Sequence, residues 1–389
     1  MQDMLNQETK DTLIKQQYRI VGKHSGVKIC GWTKNMLKGD GGCYKLKFYG
    51  INSIQCLQMT SSFSCANRCI FCWRDYKAPV ATTWTWDVDE PEFILDGCVH
   101  AQEKLLEGFK GNDKVVPGAF DMSKSVKHVA LSLNGEPINY PKINELITLI
   151  HKRGMSTFLV TNGQYPEEIE NLVPITQLYL SMDSPNEKIC KEVGKPLFPN
   201  YWERFNRSLD AMAKKKERTA VRITMIKGHN DVEPENYAAQ IKRADVDFVE
   251  IKAYMHIGAS QERLSRDCMP SNIEVLAFTR KVVEYLDDYE IVSEHIPSRV
   301  ILLAKKKLGT KLWIDFKKWN ELANSGRTDI SYDEYSTEIP KQFLGIKLDT
   351  LTPLSEDRDK HLEEIKVLID KEKPEYMSVC ETGWEDQLE

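Results

Sequence analysis

The sequence predicts an α/β protein built on a (βα)6 partial barrel, with a cysteine-bearing N-terminal extension and a C-terminal extension. Three observations lead there. Apolar runs of β type alternate with helical patterns, six of the ten cysteines crowd between positions 30 and 72, and short polar turns follow several of the apolar runs. Alternation at this spacing implies parallel strands joined by right-handed crossovers. The 389 residues suffice for one large domain or two modest ones, and 41% hydrophobic residues with 9% aromatics can fill a substantial core. An ordinary doubly wound sheet fits the same spacing.

Strands are expected at residues 55–60, 128–133, 156–161, 177–182, 220–226 and 248–254. Helical patterns lie at 91–109, 143–152, 167–172, 202–213 and 234–243, and a last one at 273–286 follows the sixth strand. The chain divides into an extension over 1–54 (with Cys56 just beyond), the barrel over 55–290, and a C-terminal part over 291–389 that is basic and then acidic. In parallel α/β folds reactive groups collect at the carboxyl ends of the strands. Residues directly after each predicted strand are therefore the first place to look for chemistry.

After the first strand stands Cys65-Ala66-Asn67-Arg68-Cys69-Ile70-Phe71-Cys72-Trp73. Three thiolates at C-x-x-x-C-x-x-C spacing can hold three irons of a 4Fe–4S cluster and leave the fourth iron open. S-adenosylmethionine can chelate that iron through its amine and carboxylate, and one electron then cleaves it to a 5′-deoxyadenosyl radical. This loop, with an aromatic after its last cysteine, resembles that of the radical SAM superfamily. The competing use of such cysteines is a zinc knuckle. Zinc usually takes a fourth ligand and paired C-x-x-C units, and the nearest downstream histidine is His100.

Three turns follow later strands. Asn134-Gly135-Glu136-Pro137 resembles the motif with which radical SAM enzymes hold the methionine amino group: glycine permits close backbone approach, and glutamate accepts from an ammonium. Thr161-Asn162-Gly163 and Ser181-Met182-Asp183 carry short polar side chains (Thr161, Asn162, Ser181, Asp183) suited to ribose hydroxyls and a carboxylate. Each alone reads as a common turn. Together, in order behind the cysteine loop, they read as one pocket.

Upstream, Cys30, Cys43 and Cys56 are separated by twelve residues each time. Three more thiolates can hold a second 4Fe–4S cluster with one iron free, wrapped by a long loop that Gly39, Gly41 and Gly42 make flexible. Lys45 stands two residues after the middle cysteine, where its amine can reach a carbonyl bound at that cluster. Three unrelated cysteines in a basic extension account for the same spacing. Cys98, Cys190, Cys268 and Cys380 are isolated and read as ordinary thiols.

The net charge of −5 conceals two basic segments and an acidic tail. Residues 19–49 hold seven Lys or Arg and one acid, residues 299–318 again seven and one, and residues 328–389 seventeen acids and seven bases. Aromatics are interleaved with the basic residues (Trp32, Tyr44, Phe48 and Tyr49, then Trp313 and Phe316), a pattern that grips phosphates and stacks on bases. Two solvated lysine-rich surfaces explain it as well. No apolar run reaches transmembrane length, and Met1-Gln2-Asp3-Met4 opens no signal peptide, so a cytoplasmic protein without a membrane partner is expected.

Cys30, Cys43 and Cys56 at even spacing, Lys45, the Cys65/Cys69/Cys72 loop with Trp73, and Asn134-Gly135-Glu136-Pro137 together resemble the archaeal-type tRNA 4-demethylwyosine synthases, over residues 20 to 320 or so. The resemblance implies two 4Fe–4S clusters, S-adenosylmethionine, and pyruvate as a substrate. It implies condensation of N1-methylguanosine next to the anticodon of tRNA(Phe) with two carbons of pyruvate, by a lyase-class enzyme. Lys45 would form a Schiff base with the keto carbon or the adduct. Eukaryotic relatives carry a flavodoxin-like domain. The short stretch before the first strand matches the stand-alone form, a monomer served by an external flavodoxin- or ferredoxin-type electron donor. Two other readings stay open at this point: an auxiliary-cluster radical SAM enzyme acting on a protein or small molecule, and a non-catalytic iron–sulfur electron carrier or RNA-binding protein.

Overall fold

The computed structural model describes residues 3–348 together with 360, 362–371 and 373. The chain enters through α1 (Gln7–Lys15), where Asn6 accepts the Thr9 N–H at 2.9 Å, and lays down two short antiparallel strands, β1 (Arg19–Val21) and β2 (Ser25–Val27). Two short helices follow, α2 (Gly31–Leu37) and α3 (Tyr44–Tyr49). Then the alternation begins: β3 (Cys56–Thr60), α4 (Pro91–Leu106), α5 (Ala119–Ser123), β4 (His128–Leu131), α6 (Ile143–Lys152), β5 (Ser156–Thr161) and α7 (Pro166–Glu170). It continues with β6 (Gln177–Ser181), the single turn α8 (Glu187–Ile189), α9 (Tyr201–Ala213), β7 (Thr219–Met225), α10 (Pro234–Ala244), β8 (Phe248–Ala253) and α11 (Asn272–Val283). Neighbours from β3 to β8 pair in parallel.

All six expected strands are present, and the parallel run makes the partial barrel. The edges differ from the sequence reading. β2 joins β3 antiparallel on one side, and on the other a hairpin of β9 (Tyr289–His295) and β10 (Val300–Lys305) adds to β8 antiparallel. Among the described residues these ten strands form one sheet. Strands β1 and β2 are three residues long, too short to show an alternating pattern. Beyond the hairpin come β11 (Trp313–Ile314), α12 (Phe316–Ala323) and β12 (Ser336–Thr337). Cys380 and ten of the seventeen acids of the tail lie outside the described residues.

The longer helices of the barrel each bury one apolar stripe. α6 buries Ile143, Leu146, Ile147 and Ile150, the helical i, i+3, i+4, i+7 pattern, and α10 buries Tyr237, Ala238, Ile241 and Ala244. Proline opens α4, α7 and α10 at a position where its missing N–H costs nothing, and a Ser271–Glu274 capping box opens α11. These stripes meet the outward side chains of the strands, including Leu131, Leu159, Leu180, Val221 and Ile251. The inward face carries Phe158, Tyr179, Ala220 and Phe248, and α3 closes over it with Leu46, Phe48 and Tyr49, all buried.

That packing corrects the reading of the basic segments. Tyr44, Phe48, Tyr49 and Trp313 are core residues, Phe316 lies against His128, and Trp32 meets His295 edge-on. Tyr44, Phe48, Tyr49 and Trp313 cannot stack on bases, because they belong to buried elements and not to an exposed ribbon. The second basic segment is also at the wrong end. The Lys305 N–H donates to Asp247 and α12 reaches the turn before β5, so the segment from Lys305 to Lys318 lies at the amino ends of the strands, opposite the cysteine loop, and only Arg299 stays at the carboxyl ends.

Candidate functional site

The cysteine loop leaves the carboxyl end of β3. Ser61, Ser62, Phe63 and Ser64 are buried, and Cys65, Cys69 and Cys72 follow half-buried. Two arginines hold the loop by its backbone. Arg74, itself buried, donates to the carbonyls of Phe63 and Pro79 at 3.0 Å and of Asn67 at 3.1 Å. Arg263 donates to the Ile70 carbonyl at 3.0 Å and to that of Cys72. The Cys65 sulfur accepts from the Asn67 N–H at 3.4 Å and from Asn162 Nδ2 at 3.3 Å.

Burial pushes the Cys65 thiol up to about 11 and the Cys69 thiol well above its ordinary range; each also feels the charge of Cys72, and Arg74 opposes both. Thiolates crowded in this way call for a cation. Three thiolates on one short loop are the donor set of a 4Fe–4S cluster, which takes one thiolate per iron.

The turn after β4 is braced against this loop. Gly135 has φ of +72°, and the Glu136 N–H donates to the Ser64 carbonyl at 2.7 Å while Ser61 Oγ donates to the Pro137 carbonyl at 3.0 Å. Asn134 Oδ1 accepts the Gly135 N–H at 2.7 Å. Glu136 points inward: Oε2 accepts the Asn162 N–H at 3.0 Å, Thr161 bonds the carboxyl, and buried Oε1 has no hydrogen-bond partner among the described residues. Burial lifts this carboxyl to about 7. An orphaned, desolvated acceptor beside the cysteine loop fits the ammonium of S-adenosylmethionine.

Thr161 and Asn162 thus serve Glu136 and Cys65 from the end of β5. Ser181 ends β6 half-buried. Asp183 accepts the Thr224 N–H at 2.7 Å, and burial lifts its carboxyl to about 6. Its charge is felt at Cys69, which places it on the same side of the barrel as the first triad.

Cys30, Cys43 and Cys56 also come together. The charge of Cys30 is felt at Cys43 and Cys56, and that of Cys43 at Cys56. The expected long wrapping loop is absent among the described residues: Cys30 precedes α2, Cys43 precedes α3 and Cys56 opens β3, with glycines 39 and 41 at positive φ in the turn between the helices. The backbone N–H groups of Trp32 and Thr33 aim at the Cys30 sulfur, and that of Lys45 at Cys43. Burial pushes Cys43 and Cys56 up to about 12.

Lys45 enters the barrel itself. Its Nζ lies 4.4 Å from the centroid of Tyr179 and 5.9 Å from that of Phe158. Burial pushes its ammonium down, Arg222 adds to this, and Glu250, Cys43 and Cys56 oppose it. Sequence reasoning missed the rest of this floor. Glu250 accepts from Arg222 Nε at 2.9 Å, Tyr49 at 2.9 Å and Tyr44 at 3.1 Å, and burial holds Lys252 down at about 8. The signal was present: a charge inside an apolar run of a parallel strand has nowhere to go but the interior.

Comparison with known proteins bears on this arrangement. Residues 59–241 match the family model described as "Radical SAM superfamily", and residues 243–305 the one described as "Wyosine base formation". A Xenopus laevis protein named S-adenosyl-L-methionine-dependent tRNA 4-demethylwyosine synthase TYW1 is 43% identical over 82% of this chain and 44% of its own length. The chain spans about half the length of the curated relatives it matches. The structure of TYW1 with a lysine-pyruvate adduct bound superposes with a TM-score of 0.71 at 36% identity, covering 78% of this chain and 97% of that one. The crystal structure of archaeal TYW1 gives 0.65 at 33% identity, covering 78% and 98%.

Proposed function

The chain belongs to the TYW1 family of radical SAM tRNA 4-demethylwyosine synthases, and from that premise we propose that it condenses N1-methylguanosine, next to the anticodon of tRNA(Phe), with two carbons of pyruvate to give 4-demethylwyosine. In this reading it is a lyase-class enzyme with two 4Fe–4S clusters. It works as a monomer in the cytoplasm and is reduced by a flavodoxin- or ferredoxin-type donor. Among the described residues no helix is long and apolar enough to cross a membrane.

The observation that carries the proposal is Lys45, a half-buried side chain whose amine enters the barrel over Tyr179, beside Cys43 and Cys56, with its ammonium disfavoured. Cys65, Cys69 and Cys72 would hold the first cluster, and Cys30, Cys43 and Cys56 the second. Bound there, the first with S-adenosylmethionine supplies a hydrogen-abstracting 5′-deoxyadenosyl radical, and the second an open iron for the oxygens of an α-keto acid. Glu136 would take the methionine ammonium on Oε1, with Asn134, Gly135 and Pro137 shaping the backbone around it. Thr161 and Asn162 fix that carboxylate, and Ser181 and Asp183 offer acceptors for ribose or donors for a carboxylate at the same rim. The neutral amine of Lys45 would add to the keto carbon of pyruvate and expel one water, forming an imine.

The tRNA would approach the carboxyl ends of the strands. There Arg68, Lys77, Lys195 and Arg266 are exposed around the cysteine loop, and the Tyr76 ring lies 4.2 Å from the Arg263 guanidinium and 5.9 Å from Lys195 Nζ. Anaerobic reconstitution followed by incubation with reductant, labelled pyruvate and tRNA bearing N1-methylguanosine tests the reading. About eight irons per chain and label in the tRNA are expected. About four irons, or unlabelled tRNA, would overturn it.

A further inference from the structure

We propose that the Arg222 guanidinium receives the carboxylate of the α-keto acid and turns its keto carbon toward Lys45, an assignment that rests on the condensation proposed above. Arg222 lies on the inward face of β7, in register with Ser181 of β6 and Glu250 of β8. Its Nε is committed to Glu250, which Tyr44 and Tyr49 hold in place from α3. Of what remains of the fork, buried Nη2 has no hydrogen-bond partner among the described residues. A buried guanidinium N–H left without an acceptor is costly and rare, and a planar carboxylate is the ligand whose geometry matches it.

Two further observations place that ligand beside Lys45. Both cations contact the same ring, with the Arg222 guanidinium 5.1 Å and Lys45 Nζ 4.4 Å from the Tyr179 centroid. Besides the thiols of Cys43 and Cys56, the carboxylate that Arg222, Lys45 and Lys252 face is Glu250, and the next one, Asp183, is bound to the Thr224 N–H. An α-keto acid brings both things missing here, a carboxylate for Arg222 and an electrophilic carbon for Lys45. S-adenosylmethionine also carries a carboxylate, so the two sources must be separated by experiment.

The holoenzyme is treated with borohydride over a range of labelled pyruvate or labelled methyl pyruvate, and the adduct is mapped to the peptide carrying Lys45. The unmodified chain is expected to capture pyruvate at concentrations roughly tenfold to hundredfold below its ester, the range of a charge-assisted hydrogen bond. In Arg222→Gln this preference should fall to about twofold, through weaker capture of pyruvate alone. Arg222→Lys, which keeps a cation opposite Glu250 but loses the fork, should fall in between. An unchanged preference in both variants overturns the assignment, as does loss of both adducts in both variants, since a carboxylate contact has no bearing on the ester. A rise in the half-saturating S-adenosylmethionine concentration for 5′-deoxyadenosine formation, with pyruvate capture unmoved, gives the carboxylate to the other substrate and also overturns it. Absence of any adduct in the unmodified chain would instead bring down the condensation itself.

Discussion

A Cβ placed on Gly135 would stand 1.9 Å from the carbonyl oxygen of Ser62. The obstacle is backbone on the loop that leads to Cys65, so it cannot swing aside as a side chain would. Residue 135 also has positive φ, which any L side chain resists. Gly135→Ala should therefore push the Asn134–Pro137 turn off the cysteine loop, at about 1–3 kcal/mol of strain if the chain still folds. We expect 5′-deoxyadenosine formation to fall by more than tenfold while the Cys30/Cys43/Cys56 triad keeps its iron, read from iron content and product chromatography.

Glu136 carries a sign that can be checked. Burial raises its carboxyl from 4.5 to about 7, so the folded chain binds the proton more tightly than the unfolded one. Its contribution to stability is full below pH 4.5 and is lost as pH rises toward 7, leaving a cost of about 3 kcal/mol above that. Glu136→Gln should therefore raise the melting temperature of the ligand-free protein at pH 8 and leave it unchanged near pH 4. The same variant should bind S-adenosylmethionine at least tenfold more weakly at pH 8. Tighter binding with no gain in stability would refute both halves.

The cysteine triads should separate functionally. Cys65→Ala, Cys69→Ala or Cys72→Ala is each expected to abolish reductive cleavage of S-adenosylmethionine, because three ligands leave no spare. Replacing Cys30, Cys43 and Cys56 together should remove about half the iron and stop the tricyclic product while uncoupled cleavage continues. Unchanged iron content in that triple variant would make these cysteines structural.

The proposed nucleic-acid face can be told from its opposite. Arg68→Glu with Lys195→Glu, beside the cysteine loop, should weaken tRNA binding and flatten its salt dependence by about one unit of slope per lost contact. Lys306→Glu with Lys307→Glu, at the amino ends of the strands, should do neither. Equal effects from both pairs would move the RNA to another surface.

How much of this could be read beforehand follows from range. The six parallel strands declare themselves through local periodicity, and the close approach at Gly135 through the turn that contains it. What stayed hidden depends on partners far along the chain. Tyr44 and Tyr49 meet Glu250 across some two hundred residues, so α3 reads as a basic segment until the barrel is assembled around it. Charge counts gave residues 299–318 a role at the site, and only the antiparallel run of β10 against β8 shows that those from Lys305 on lie at the far end of the barrel.

Lys45 bears the most specific expectation. Its ammonium is disfavoured by burial and by Arg222, so a neutral, nucleophilic amine is available below the pH range in which an exposed lysine loses its proton. Adduct capture by borohydride should therefore rise with pH at a lower pH than it would for an exposed lysine. Arginine keeps the positive charge and cannot act as the nucleophile, so Lys45→Arg should lose product and trapped label while iron content and tRNA affinity persist. Lys252 supplies the internal control: it is a second amine in the same barrel, held at about 8, and Lys252→Arg should still trap label at Lys45. Label that persists in Lys45→Arg, whether on Lys252 or elsewhere, would remove Lys45 from the chemistry and leave it as a core lysine over Tyr179.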